Sequence, residues 1–193
     1  MQLTPETIPA EWEELRALVA LACGETVLVG GALRDLDNGR PVKDLDLFVL
    51  VRPLDSVHFD PAFHEAELRR IVPGLEVIEQ LHAEYCDFRD EVLHVTTCRV
   101  PDFPYEVQVI FADLPHPQAA IDRVDFGICQ IGWTGQALIR TKAYDADKAS
   151  CSFTLLQAPT ENHRKRSRRR FERFVEKYRG WTFRDPADEL VLL

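Results

Sequence analysis

Two neighbouring stretches decide how this chain is read: Val27-Leu28-Val29-Gly30-Gly31-Ala32-Leu33-Arg34-Asp35 and Lys43-Asp44-Leu45-Asp46-Leu47-Phe48-Val49. In the first, a short apolar strand runs into two glycines and then into residues that open a helix. Glycines let a backbone come close to a ligand, and the free N–H groups of a helix start favour an anion, a phosphate above all. Arg34, one turn in, is placed to grip phosphate oxygens with two N–H groups. Two glycines after a strand also describe a plain tight turn with a surface arginine. In the second stretch Asp44 and Asp46 alternate with apolar residues, so both carboxylates project from one face of a strand. Two such charges repel unless a cation or a proton intervenes, and Mg²⁺ binds through one or two carboxylates plus substrate phosphates. Without the glycine turn beside them they would be two solvated acids. Lys43 is either a phosphate neutraliser or a charge partner for the aspartates.

A third carboxylate would complete a two-metal site. Glu106 in Tyr105-Glu106-Val107-Gln108-Val109-Ile110-Phe111 is the candidate, as an acid set into an otherwise apolar strand.

Outward from these motifs, helical spacing of Trp12, Leu15, Leu18, Val19 and Ala22 predicts a helix over Pro9–Cys23, stopped by Gly24. Strands are expected at Thr26–Val29, Leu45–Val51, Leu75–Gln80, Glu91–Val100 and Tyr105–Phe111, and helices at Ala32–Leu36, Pro61–Ile71 and Pro117–Arg123. Thr134-Gly135 predicts a hairpin between Gly127–Trp133 and Gln136–Thr141. A last helix is expected from Glu161 to Arg179, with Phe171, Phe174, Val175 and Tyr178 on its apolar face. The sum is an α/β (α+β) fold: a small mixed sheet with helices packed on it. The expected division is a core over residues 1–155 with its N-terminal helix, and a basic helical extension over 156–193 packed on that core.

The net charge is −9, yet residues 161–180 carry nine Lys/Arg against three Glu, a local +6 that leaves −15 for the rest. An acidic body argues against a general nucleic-acid coat, while the basic stretch makes Arg164, Arg168 and Arg169 candidates for RNA or phosphate contact. The rival readings are a solvated helix face, and arginines that cover the acidic body or bind the triphosphate across the cleft. No apolar run approaches the ~20 residues of a membrane span, and the N-terminus lacks the pattern of a signal peptide. Five scattered cysteines suit a reducing cytoplasm. Cys86, His94 and Cys98 match no compact zinc spacing. No Gly-x-Ser-x-Gly elbow or lysine-containing Walker loop is present.

Gly30-Gly31-x-x-Arg34-Asp35 followed by Lys43-Asp44-x-Asp46 resembles the signature of the DNA polymerase β-like nucleotidyltransferases, in particular the head domain of CCA-adding enzymes and bacterial poly(A) polymerases. Glu106 matches the acid on a later strand of those heads. Arg123-Val124-Asp125-Phe126-Gly127-Ile128-Cys129 resembles their Arg-x-Asp-Phe-Thr-Ile-Asn stretch, with Cys129 in place of Asn, and makes Asp125 a nucleotide-binding candidate. Small bacteriophage nucleotidyltransferase-like proteins are similar too. The resemblance covers roughly residues 25–145. It implies Mg²⁺ (or Mn²⁺) on Asp44, Asp46 and Glu106, and the phosphates of a nucleoside triphosphate on Gly30, Gly31, Arg34 and Lys43. The nucleoside monophosphate would pass to an acceptor hydroxyl on an RNA or tRNA end or a protein, with release of pyrophosphate. The chain has no Glu-Asp-x-x-Arg motif and no room for the other domains of a CCA-adding enzyme, so CCA addition is not the expectation. Two alternatives share the motifs: a toxin- or defence-type transferase that modifies a protein or tRNA, and a degenerate nucleotide- or RNA-binding module.

Overall fold

The computed structural model describes residues 3–52, 56, 58–82 and 91–189. The alternation read in the sequence governs the centre of the sheet. Strands β1 (Thr26–Val29) and β2 (Asp44–Val51) are followed by helix α3 (Pro61–Ile71) and by β3 (Glu76–His82), β4 (Val92–Arg99) and β5 (Glu106–Asp113). β2 and β5 share one pattern, in which Leu45, Leu47, Val107 and Val109 are buried while Asp44, Asp46, Glu106 and Gln108 are half-buried. One face of each strand is therefore apolar and packed, the other polar at its start.

The apolar face is covered by α1 (Ala10–Cys23) and α3. Trp12, Leu15, Val19 and Leu68 join Leu28, Leu45, Leu47, Val49, Val107, Val109 and Phe111 in the main core. Gly24 stops α1 at φ +103°, and the Asp60 carboxylate caps α3 by accepting from the Ala62 N–H at 3.0 Å. On the other face α4 (Pro117–Asp122) packs Ala120 and Ile121 onto Val27, Val29, Leu50 and Ala112. The acids at the start of β2 and β5 lie outside both apolar clusters.

The main sheet has seven strands in the order β3-β4-β5-β2-β1-β6-β7, with β6 (Ile131–Trp133) and β7 (Leu138–Arg140) forming the expected hairpin. Only β2 and β5 pair in parallel; the other pairs of this sheet are antiparallel. Then follow α5 (Lys142–Ser150), β8 (Ser152–Thr154), α6 (Glu161–Phe174), β9 (Thr182–Arg184) and α7 (Pro186–Glu189). β9 pairs in parallel with β8. Phe153 is ringed by Phe126, Phe171, Phe174, Tyr178 and Trp181, which seats α6 on the core. Among the described residues no helix is long and apolar enough to cross a membrane.

Several expectations change. Gly127–Trp133 is not one strand: Gly127–Cys129 forms a 3-10 turn and only Ile131–Trp133 is extended. The cause is Asp147, whose buried carboxylate accepts from the Ile128 N–H at 2.8 Å and leaves no room for a Cβ at Gly127. The last helix ends at Phe174 instead of Arg179. Past it, the Tyr178 N–H still bonds the Phe174 carbonyl at 2.7 Å, and Gly180 at φ +86° turns the chain toward β9. α5, β8, β9 and α7 were not anticipated, and Cys86 lies outside the described residues.

Candidate active site

β2 and β5 run side by side with Asp44 opposite Glu106 and Asp46 opposite Gln108. Paired residues on neighbouring strands share a face and stand about 4.8 Å apart, so three carboxylates and one amide make a two-by-two polar patch. On the other side of β2, β1 pairs antiparallel with Leu28 opposite Leu47. The next step of that register brings Val29 beside Asp46, so the glycine turn after β1 emerges next to the acids.

The turn itself depends on Gly30. It holds φ +82° and ψ −117° as the N-cap of α2 (Gly31–Asp37), a conformation that residues with a Cβ avoid. Its own N–H is spent on the Ile131 carbonyl at 2.9 Å, and its carbonyl takes the Arg34 N–H at 3.0 Å. The N–H groups of Gly31, Ala32 and Leu33 precede the first bond within the helix.

Arg34, read in the sequence as a grip on phosphate oxygens, is buried. Its side chain is 3 % exposed. Nε donates to Asp35 Oδ1 at 2.8 Å and to the Tyr178 hydroxyl at 3.2 Å, while Nη1 reaches Cys129 Sγ at 3.0 Å. The guanidinium also lies over the Phe174 ring, 4.5 Å from its centre. Tyr178 donates to Asp35 Oδ1 at 2.6 Å, and Lys177 pairs with Asp35. Arg34 thus supplies positive charge from beneath the turn and is held there by the chain segment after α6.

Asp125 is likewise occupied: its carboxylate accepts from Ser167 Oγ at 2.9 Å and Arg170 Nη1 at 3.0 Å. It ties α6 to the core. Arg164 pairs with Asp185, and Arg168 with Asp185 and Asp188, so these two candidates for RNA contact are neutralised within the fold. Arg169 is exposed. Lys43 is exposed and lies 3.1 Å from Asp44 Oδ2.

Electrostatics single out Asp46. Burial pushes its carboxyl up to about 6 and the charge on Asp44 adds to the rise, while Arg170, Arg34 and Lys43 pull it back. Arg170 was missed in the sequence because it is one arginine in a run of them; Asp35 was read only as part of the glycine motif, Tyr178 only as an apolar-face residue, and Lys177 carried no signal. Among the described residues, no three His, Cys, Asp or Glu side chains converge on one point as around a bound ion. The donor set still suits a hard divalent cation, since oxygen donors on one face with a strained negative charge among them are what such an ion relieves.

No protein-family profile and no curated protein matches the sequence. Solved structures do match. A CCA-adding enzyme in complex with ATP aligns with TM-score 0.64 and 18 % identity over 96 % of this chain and 42 % of its own. The chain shares its fold with part of the CCA-adding enzymes. The Thermotoga maritima CCA-adding enzyme complexed with tRNA aligns with TM-score 0.65 and 16 % identity, again over 96 % and 42 %. A tRNA-processing enzyme in an apo form gives 0.63 and 18 % over 95 % and 45 %. The chain spans less than half the length of these proteins. The similarity extends beyond the region of the sequence motifs to nearly the whole chain.

Proposed function

We propose that this protein is a metal-dependent nucleotidyltransferase that moves a nucleoside monophosphate from a nucleoside triphosphate to an acceptor hydroxyl on an RNA end or a protein. The observation that carries the reading is the parallel register that sets Glu106 beside Asp44, on the face next to the Gly30-Gly31 turn. Asp44, Asp46 and Glu106 would hold Mg²⁺ or Mn²⁺. The ion supplies charge stabilisation for the attacking and leaving oxygens. Gly30, Gly31 and the N–H groups opening α2 receive the terminal phosphates, with Arg34 as a fixed charge beneath them and Lys43 free to swing from Asp44 to the substrate. Glu106 is placed to take the proton from the acceptor hydroxyl as its oxygen bonds to the α-phosphorus. Asp125 acts at one remove, by fixing Arg170 near Asp46. The sharing of fold with a CCA-adding enzyme solved with ATP supports the nucleotide part of this reading. Free thiols at Cys23, Cys98, Cys129 and Cys151 suit work in the cytoplasm.

The test is the double variant Asp44→Ala/Asp46→Ala, incubated with Mg²⁺, labelled NTPs and a panel of RNA and protein acceptors. Transfer by the wild type that the double variant abolishes is expected, and undiminished transfer by the variant refutes the assignment. A second reading, a nucleotide-binding module without turnover, draws on the acids standing apart in this structure. NTP binding that needs no metal and releases no pyrophosphate would decide for it.

A further inference from the structure

The polar face of β2 and β5 does not end at Glu106. β4 continues it: Thr97 pairs with Gln108 and Cys98 with Val107. One further step of that antiparallel register sets Arg99 beside Glu106, on the same face as Thr97. β3 extends both rows, since Glu76 is the Cα partner of Arg99 and Glu79 that of Thr97. One row therefore reads Asp44, Glu106, Arg99, Glu76 across the sheet, and the next Asp46, Gln108, Thr97, Glu79. Arg99 is exposed, and among the described residues no hydrogen bond, ion pair or ring contact engages it. Arg34, Arg164, Arg168 and Arg170, by contrast, are all held by aspartates.

Its position relative to the glycine turn gives this exposed guanidinium a meaning. In the strand order β3-β4-β5-β2-β1 the turn after β1 lies on one flank of the carboxylates and Arg99 on the other. In an in-line displacement the attacking and leaving oxygens stand on opposite sides of the phosphorus. Pyrophosphate leaves toward the glycine turn, so the attacking hydroxyl enters over β5 and β4. Arg99 then faces the acceptor and not the triphosphate. A guanidinium is the side chain best matched to a phosphate diester, and a nucleic-acid strand carries one such diester one sugar away from its terminal hydroxyl. A protein serine, threonine or tyrosine carries none.

We propose that Arg99 is the acceptor-side anchor, holding the last phosphodiester of a nucleic-acid 3′ end so that the terminal hydroxyl reaches the site. The proposal rests on the transfer reaction above. In that step the hydroxyl oxygen bonds to the α-phosphorus, the bond to the bridging oxygen breaks, and pyrophosphate leaves with the electron pair. The hydroxyl proton passes to Glu106.

The experiment measures binding, which does not depend on turnover. Two dye-labelled oligoribonucleotides, identical except for a methylphosphonate in place of the last phosphodiester, are titrated by fluorescence anisotropy with Mg²⁺ and a non-hydrolysable NTP analogue present. Arg99→Ala is expected to weaken the ordinary oligonucleotide about tenfold. It should leave the neutral one and the NTP analogue within about twofold of wild type. Arg99→Lys should recover part of the loss. Equal losses on both oligonucleotides, no loss, loss of NTP affinity, or wild type that ignores both oligonucleotides each overturns the anchor. If transfer is absent but the phosphate-specific loss is present, the reaction fails and the anchor stands. If transfer to a protein is found with no such loss, the reaction stands and the anchor fails.

Discussion

Asp46→Asn should make this protein more stable while removing its response to metal. The Asp46 carboxyl ionises near the ordinary 3.8 when the chain is unfolded and near about 6 when it is folded. A folded value raised in this way means that the stability linked to the group is complete below about pH 4 and is lost as pH rises through 6. Each unit of displacement corresponds to about 1.4 kcal/mol, so the ionised carboxylate costs the native state about 3 kcal/mol at pH 7.5. Asparagine keeps the shape and removes the charge. Urea unfolding of both proteins at pH 7.5 in chelator should show the variant ahead by about 2–3 kcal/mol, with the gap shrinking as pH is lowered through 6 and nearly closed by pH 4. Adding 5–10 mM Mg²⁺, roughly enough to saturate a millimolar site, should stabilise wild type by about 1 kcal/mol and the variant by little. A variant that is less stable at pH 7.5, or whose gain ignores pH, would show that burial beside Asp44 is not what strains the site.

Further outcomes follow from residues other than the acids. Gly30→Ala should cost about 1–3 kcal/mol in urea unfolding and weaken NTP binding, because alanine at φ +82° is strained even though its Cβ has room, 3.7 Å from the Cys129 carbonyl. Tyr178→Phe removes a buried hydroxyl that donates to Asp35 and accepts from Arg34; a loss of about 1–3 kcal/mol by the same measurement is expected. Asp147→Ala strips one acceptor system from the Ile128 and Thr154 N–H groups and from the Ser152 and Thr154 hydroxyls. It should cost about 3 kcal/mol or more, and a shift in the thermal midpoint smaller than a degree or two would contradict that role.

The part of the fold around β1, α2 and β2 was legible because alternation and a glycine turn are local signals. α5 was not. Its buried residues are Tyr144 and Asp147, so it shows no apolar stripe, and the acid that organises the Gly127–Cys129 turn reads in the sequence as one more surface charge. β8 and β9 are three residues each, too short to carry a period. Within the site, Asp44 and Asp46 declare themselves by spacing, and Glu106 by being an acid among Val and Ile. Their adjacency is a matter of strand register, which only the folded sheet contains. The arginines of α6 show the same limit: Arg164, Arg168, Arg169 and Arg170 look alike in sequence, and packing sorts them into two partners of Asp185, one exposed charge and one neighbour of Asp46.

The parallel pairing of β2 with β5 in the main sheet has a consequence for how the molecule comes into being. Antiparallel neighbours can zip up from a hairpin, but β2 and β5 meet only after residues 52–105 have looped out and returned in the same direction. Glu106 therefore has no aspartate beside it until this non-local closure is made, and such pairings are among the slower events a chain undergoes. A nascent or half-folded chain can display the glycine turn and both aspartates, yet lacks the third acid. Full assembly of the acidic patch thus reports that β5 has docked on β2, and its recovery during refolding should trail the recovery of helix signal.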